Sequence, residues 1–468
     1  MAMKKNSGKR LLVGGDPLGH VFDMGAYILR TESEEHPGAA KKAFMNYEKY
    51  NLSQFGIVET RALSDDMHFL QHKKYRITYP HEWTPSMFKD AVLFHLHLLK
   101  NLDQYGLTLK DALPENIVFD GCKPVFVDFY SIVETELLSK EQWLAAHPQE
   151  DLRVTVLRTM FFPYMLLPLL CYAENARKEA RLILSNLFCN NPLGRTPKWE
   201  DLPARTKYHD LRMAITKLTG GFPGMPWKRR IAELIRLVET LAVIPHQSAY
   251  FSYYEEKKEA FPLSPHPDWQ DKQRSVFYCL ERMHPQSVLD IGANTGWFSQ
   301  LAVKAGAHVI ALDNDESCID SVYRFSRDKE LPVTPLFLPF GAMAEQHFAK
   351  MADATISSLP FHRAAIDRIN CEMVLCLGLF HHLTLGKGLQ PHEVLAVLAK
   401  LADKALVLEF VELDDPKITG EPQFFEHLNA FSREDYNLEY ILEVCRRYFS
   451  QVEILPSEKT RHILFLQH

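Results

Sequence analysis

Val288-Leu289-Asp290-Ile291-Gly292-Ala293-Asn294-Thr295-Gly296 sets a short apolar run against a D-x-G-x-x-x-G turn. The run predicts a buried strand, and FSQLAVKAG, which begins two residues after the turn, predicts a helix. Glycines let a backbone come close to a ligand, and the helix N-terminus opening beyond them offers unpaired N–H groups. A dinucleotide-binding turn reads G-x-G-x-x-G and holds a pyrophosphate. Here Asp290 stands at the strand end. A carboxylate there repels phosphate and suits a cationic ligand such as an amino-acid ammonium. The next apolar run, His308 to Leu312, ends in Asp313, 23 residues after Asp290, where an acid fits the two hydroxyls of an adenosine ribose.

Working outward, apolar strand signals recur at Val333–Leu338, Glu372–Leu377 and Ala405–Val411, with a helical pattern at His392–Leu401 between the last two. Strands alternating with helices at this spacing predict a parallel, doubly wound α/β sheet. The last stretch, FSQVEILPSEKTRHILFLQ, predicts an antiparallel hairpin closing one edge. The fourth strand runs into Leu377-Gly378-Leu379-Phe380-His381-His382-Leu383, and the fifth ends in Glu409-Phe410-Val411-Glu412-Leu413-Asp414-Asp415. In open α/β sheets ligands bind outside the carboxyl ends of the strands. His381, His382, Glu409 and Glu412 are therefore the candidate bases on the acceptor side. The bland alternatives are a pocket wall for the histidines and a solvated loop for the acids.

The first half has a different pattern. Short strand signals stand at Leu11–Val13 and Tyr27–Leu29, and residues 88, 91, 92, 95, 98, 99 and 102, all apolar except His95, make a helical stripe that stops at Gly106. Asn116–Phe119 and Pro124–Phe129 flank Asp120-Gly121, a strong hairpin signal. Residues 140–245 read as mostly helical, and the proline-rich PLSPHP at 262–267 reads as the connector. The expected organisation is an N-terminal α+β domain over 1–250, a linker over 251–270 and the α/β domain over 271–468.

The glycine turn with Asp290 and Asp313 resembles that of class I S-adenosylmethionine-dependent methyltransferases, with their Rossmann-like fold. The resemblance implies that Gly292, Asn294 and Gly296 border the methionine part of S-adenosyl-L-methionine, with Asp290 near its amino group. It places Asp313 on the ribose and Asn314 beside the adenine. Many relatives carry an acid near residue 340 to meet the adenine amine; this chain has Pro339-Phe340-Gly341, so Phe340 stacks or the backbone serves.

Leu109-Lys110-Asp111-Ala112-Leu113-Pro114-Glu115-Asn116, followed by the hairpin and Asp128-Phe129, resembles the catalytic loop and metal-binding Asp-Phe of protein-kinase-like folds. That likeness implies a phosphotransfer site at Asp111, Asn116 and Asp128. Lys110 stands where an arginine is usual, Tyr130 replaces a glycine, Arg30 stands where a lysine is expected, and Gly14, Gly15 and Gly19 offer only a loose glycine loop. YPHEWTPSMFKDAVLFHLHLL from Tyr79, the Leu109–Ile132 segment, the Val288–Asp315 segment and LFHHL from Leu379 follow one another as in the NoeA-like nodulation host-specificity proteins. This wider resemblance implies a methyltransferase with an N-terminal accessory domain. The acceptor expected is a small molecule, a carbohydrate or a modified peptide, taking the methyl group on oxygen or nitrogen. The alternatives are a phosphotransferase built on Asp111, Asn116 and Asp128, and a binding protein with two inactive modules.

Of the 468 residues 46% are hydrophobic and 24% charged, which excludes a disordered chain or a coiled-coil rod. Fifty-three basic against 59 acidic residues counts against nucleic acid as the main partner. The eight scattered cysteines form no C-x-x-C pair, so reduced thiols in a cytoplasmic protein and no metal site are expected. The most apolar run, Met160–Ala173, is shorter than a bilayer span, and a buried helix and a protein with no membrane segment are expected. Trp227-Lys228-Arg229-Arg230 reads as a solvated helix face, and Tyr250, Tyr253 and Tyr254 before the linker, with Trp269 and Lys272 after it, read as packing at the domain junction, the alternative being a cover over the cofactor or acceptor pocket.

Overall fold

The computed structural model describes residues 10–13, 18–140, 151–185, 196–201, 214–221, 224–256, 262–341, 343, 364–421, 424 and 436–468. The described residues form two units: one runs up to Ile244, and the other takes Glu82–Thr84 and the chain from Pro245 onward. Gly14, Gly15 and Cys189 lie outside the described residues.

The first unit opens with a five-stranded antiparallel sheet of β1 (Arg10–Val13), β2 (Gly19–Asp23), β3 (Tyr27–Glu32), β4 (Thr60–Ala62) and β5 (Phe69–Lys73), in the order β1-β2-β3-β5-β4. A helix, Ala39–Lys49, is inserted between β3 and β4. The predicted stripe becomes the helix Pro85–Asp103, with all seven stripe residues buried, and the chain turns at Gly106, where φ is +69°. A short pair joins β6 (Leu107–Leu109) to β9 (Ile132–Glu134), and between them β7 (Ile117–Asp120) and β8 (Lys123–Phe126) make the expected hairpin about Gly121 at φ +60°. A sheet with one inserted helix, then a long helix and hairpins, is the expected α+β layout.

Two expectations change here. The apolar run belongs to a 22-residue helix, Leu152–Ala173, because helical geometry begins at Leu152 rather than Met160. It is long and apolar enough to cross a membrane by length and composition, yet most of it is buried inside the unit. In the helix Trp227–Thr240, Lys228 and Arg229 are exposed but Arg230 is buried. Its guanidinium donates to the carbonyls of Lys217 and Leu218, both at 2.6 Å, so the basic run is only partly a solvated face.

The second unit is built on seven strands: β10 (Ser287–Ile291), β11 (His308–Asp313), β12 (Val333–Phe337), β13 (Cys371–Cys376), β14 (Ala402–Val411), β15 (Gln451–Leu455) and β16 (Arg461–Gln467). Their order is β12-β11-β10-β13-β14-β16-β15; the first five are parallel and β16 is antiparallel to both neighbours. The terminal hairpin thus supplies the edge strand β15 and slips β16 between it and β14. Side chains alternate across the pleat. On one face Val288, Met373, Leu375, Ala405, Val407, Ile463 and Phe465 share a core with Val276, Cys279 and Leu280 of the helix Asp271–Met283. The polar exceptions to this alternation stand at the strand ends. All seven described cysteines are buried and free of disulfides.

Candidate active site

Asp290 and Glu409 continue the inward sets that begin at Val288 and Ala405, so two acids end an otherwise apolar face. After β10 the chain turns sharply, with Gly292 at φ +79°, Asn294 at +50° and Gly296 at +81°. Two of these three left-handed positions are glycine, and a Cβ at Gly292 would lie 3.2 Å from Leu379 just beyond β13. Gly296 then caps the helix Trp297–Lys304.

Asp313 closes the turn from the neighbouring strand. Its Oδ2 accepts from the Asn294 N–H at 2.7 Å and its Oδ1 from the Asp315 N–H at 2.8 Å. Each oxygen keeps a second acceptor position. Burial raises the Asp313 pKa above the ordinary carboxylate value. Asn314 is exposed beside it, and the Leu338 N–H bonds the Asp313 carbonyl at 3.2 Å, which draws the end of β12, with the buried Phe340, toward the end of β11.

Asp290 is buried and accepts from Ser299 Oγ at 2.6 Å. Burial, reinforced by Asp313, lifts its pKa to about 6, against the pull of Ser299 and Lys272. The unfolded chain ionises this group near 3.8, so the penalty grows as pH rises from 3.8 through 6 and persists above. Asp290→Asn is accordingly expected to stabilise the ligand-free protein by roughly 1–3 kcal/mol at pH 7.5 and negligibly at pH 4. Denaturant melts at the two pH values check this; an equal change at both contradicts it.

The segment from Pro245 to Glu256 packs on the turn. Asn294 Nδ2 donates to the Tyr250 carbonyl at 2.9 Å, the Ser248 N–H to Ser317 Oγ at 3.1 Å, and Tyr254 sits edge-on to Phe298 with centroids 6.5 Å apart. Lys417 Nζ lies 5.5 Å from the Tyr253 ring centre. These tyrosines, expected at the domain junction, contact the site of the second unit itself.

His381 and His382 open the short helix Phe380–Thr384 after β13, against Phe424 at centroid distances of 5.4 and 5.0 Å. His381 is fully buried, neither ring nitrogen has a hydrogen-bond partner, and burial drives its pKa down to about 2. Burial and then Lys417 and Lys387 hold His382 at about 4. Both rings are therefore neutral at pH 7, and the half-buried His382 is the more accessible of the two. Their ring proton shifts in an NMR titration are expected to stay flat between pH 8 and 5.5; a midpoint near 6.5 contradicts this burial.

Glu409 is fully buried between two cations, with Oε2 2.7 Å from Lys272 Nζ and Oε1 3.4 Å from Arg461 Nη1. Those cations overcome burial and hold its pKa below the ordinary value. Arg461 also pairs with Asp415 at 3.0 Å. A carboxylate clamped this way suits positioning better than proton uptake. Glu412 lies farther out, half-buried, with its Oε1 2.5 Å from His462 Nε2.

Arg461 and His462 were not singled out in the sequence, where Lys272 stood only as packing at the junction and Asp415 only as part of the acidic end of the fifth strand. A signal existed: Lys272 stands four residues before Val276 on the apolar stripe of its helix, and Arg461 two before Ile463 on the inward face of β16. Among the described residues no group of three or more His, Cys, Asp or Glu side chains is placed to hold a metal.

In the first unit, Asn116 Nδ2 donates to Asp111 Oδ1, and the Asn116 carbonyl accepts from the Val127 N–H at 2.8 Å, beside Asp128. Arg30 of β3 reaches Asp128 at 3.7 Å and stacks 4.6 Å from the centre of the buried Tyr130 ring. Asp111, Asn116, Asp128 and Arg30 are thus brought together. Glu115, which sequence reasoning passed over, buries both carboxyl oxygens without a hydrogen-bond partner, and burial raises its pKa well above the usual value.

The strand order with a single antiparallel insertion, the left-handed glycine turn after β10 and the acid ending β11 define the second unit as a Rossmann-like, doubly wound α/β domain. The chain as a whole is similar to nodulation protein NoeA of Rhizobium meliloti (strain 1021), 25% identical over 450 residues and covering 88% of each chain. No family model matches. Among solved structures, monomeric WbdD is 17% identical with a TM-score of 0.30, covering 45% of this chain and 48% of its own, so the match spans about half of that protein. An O-methyltransferase family protein from Burkholderia thailandensis is 14% identical with a TM-score of 0.30, over 42% of this chain and 56% of that one. Magnesium protoporphyrin IX methyltransferase from Synechocystis PCC 6803, solved with bound SAM, is 17% identical with a TM-score of 0.26, over 48% and 86%.

Proposed function

We propose that the chain is an S-adenosylmethionine-dependent methyltransferase acting on oxygen or nitrogen of a small molecule, carbohydrate or modified peptide. The observation that carries this reading is the turn itself, where left-handed Gly292 and Gly296 flank the Asn294 N–H that fixes the Asp313 carboxylate. The residues present fit the donor. Gly292 and Gly296 put no side chain at two of the turn's left-handed positions, Asp313 keeps acceptor capacity for two ribose hydroxyls, and Asn314 and Phe340 flank the adenine position. Asp290 adds the negative charge that a cationic ligand needs and a pyrophosphate does not tolerate.

When bound, the donor supplies an electrophilic methyl group on a sulfonium. The chain's part is to orient the donor, exclude water with the Pro245–Glu256 segment, and present an acceptor from the side of His382 and Glu412. Alignment and desolvation supply much of such a rate, so a dedicated base is optional. S-adenosylhomocysteine at 100 times its Kd is expected to stabilise the protein by about 2.7 kcal/mol, with NAD at the same concentration without effect. Thermal unfolding measures both; stabilisation by NAD instead would replace this reading with a dehydrogenase.

A second reading rests on the convergence of Asp111, Asn116 and Asp128 in the first unit. A phosphotransferase there requires magnesium-dependent ATP binding that Asp128→Asn abolishes. The Arg30–Asp128 pair occupies part of that carboxylate, which favours a shell kept for binding.

A further inference from the structure

Gly19, Arg30 and Tyr130 are positions at which the first unit departs from a phosphotransfer pattern or matches it only loosely, and the fold joins them. A Cβ at Gly19 would collide with the Thr31 carbonyl oxygen and lie 3.0 Å from the Tyr130 ring. The Tyr130 hydroxyl donates to that same carbonyl at 3.4 Å, and the Arg30 guanidinium lies 4.6 Å from the centre of its ring. Packing of β2 against β3 and Tyr130 therefore accounts for the glycine, with no phosphate required.

Arg30 has one partner of opposite charge among the described residues, Asp128 at 3.7 Å, and its Nε has no hydrogen-bond partner. Its side chain is 6% exposed, and an arginine keeps its charge at any working pH. A buried charge is costly unless an opposite one lies beside it, so Arg30 depends on Asp128. In a protein kinase the strand cation is held by a glutamate of the neighbouring helix, which leaves the second aspartate to magnesium. The inserted helix Ala39–Lys49 has a single acid, Glu48, which is exposed, and it buries Ala40 and Tyr47 instead. With no helix acid to hold it, Arg30 takes the aspartate. Magnesium needs near-octahedral oxygen ligands and is bound through one or two carboxylates. Asn116 already donates its amide to Asp111, and an ion on Asp128 would lie beside a permanent cation that repels it. The residues present do not fit the metal.

We propose that Arg30 is a built-in counter-ion that takes the place of a magnesium ion at Asp128, so that the first unit holds no divalent metal and transfers no phosphoryl group. This role presupposes the likeness of Asp111, Asn116 and Asp128 to a phosphotransfer site, and it makes that site a shell without transfer chemistry. Asp128 keeps 22% of its side chain exposed, so an ion from solvent can reach it once Arg30 is gone.

Manganese(II), the probe for a magnesium site, is titrated alone into the metal-free full chain, and the free aquo ion is counted by its electron paramagnetic resonance signal. Wild type, Asp128→Asn, Arg30→Met and the double variant are compared. The wild type is expected to show no Asp128-dependent site up to about 1 mM, while Arg30→Met gains one that is tighter by roughly 10-fold or more and that Asp128→Asn removes. A wild type whose manganese site is lost in Asp128→Asn overturns the counter-ion role and favours phosphotransfer. An Arg30→Met protein that melts cooperatively yet gains no Asp128-dependent ion overturns the likeness itself, since Asp128 is then no metal position. Where Arg30→Met does not melt cooperatively, the neutral Arg30→Gln is read by the same two outcomes, and the wild-type titration stands by itself.

Discussion

Glu409→Ala is expected to lower the stability of the protein by about 3–5 kcal/mol, because it breaks a buried ion pair by removing one partner. Lys272 is almost fully buried and Arg461 mostly so, and both converge on this one carboxylate. Lys272 loses its 2.7 Å partner, while Arg461 retains Asp415. Replacing the pair together, as Lys272→Met with Glu409→Leu, removes both charges and is expected to recover much of the loss. The pH dependence has a definite sign. The folded pKa of Glu409 lies below its ordinary 4.5, so its contribution is complete above 4.5 and is lost as pH falls through the lower folded value. Urea melts of the wild type, the single and the double variant at pH 7.5 measure these differences. A single variant within 1 kcal/mol of wild type at that pH, as for an exposed pair, contradicts the buried-pair account.

The second large effect is on binding. Asp313→Ala is expected to weaken S-adenosylhomocysteine by about 100-fold or more, since hydrogen bonds to a charged group are worth about 1.5–3 kcal/mol each and the proposed donor site has Asp313 serve two ribose hydroxyls. The same change frees the N–H groups of Asn294 and Asp315, so the turn itself loosens. Asp313→Asn separates the two causes: it keeps one oxygen for the turn and removes the charge. An affinity for Asp313→Asn between those of wild type and Asp313→Ala supports direct recognition of the ribose. Unchanged affinity in both variants places the ligand elsewhere.

How much of this was legible in the sequence depends on the kind of signal. The parallel sheet was, because β10, β11, β13 and β14 are buried on both faces and read as continuous apolar runs closed by turn residues. The stripe at Pro85–Asp103 and the Asp120-Gly121 hairpin were legible for the same local reason. The glycine turn was legible because φ above zero at 292 and 296 calls for glycine. The buried charges were not. Whether Glu409 is a solvated acid or a clamped one depends on Lys272, 137 residues earlier, and on Arg461, 52 residues later, and no local pattern couples them. Arg230 was misread for a related reason, since its partners are two backbone carbonyls of another segment. His381 looked like a base from its place after β13; its complete burial comes from tertiary packing, including Phe424.

The central claim is that the turn between β10 and its helix, with Asp313 beside it, holds the methyl donor. Isothermal titration of the full chain with S-adenosylhomocysteine tests it most directly. The account predicts saturable one-to-one binding with Kd on the order of micromolar, close to −8 kcal/mol, lost or strongly weakened in Asp313→Ala. A wild-type protein that melts cooperatively yet takes up no S-adenosylhomocysteine at millimolar concentration would contradict it.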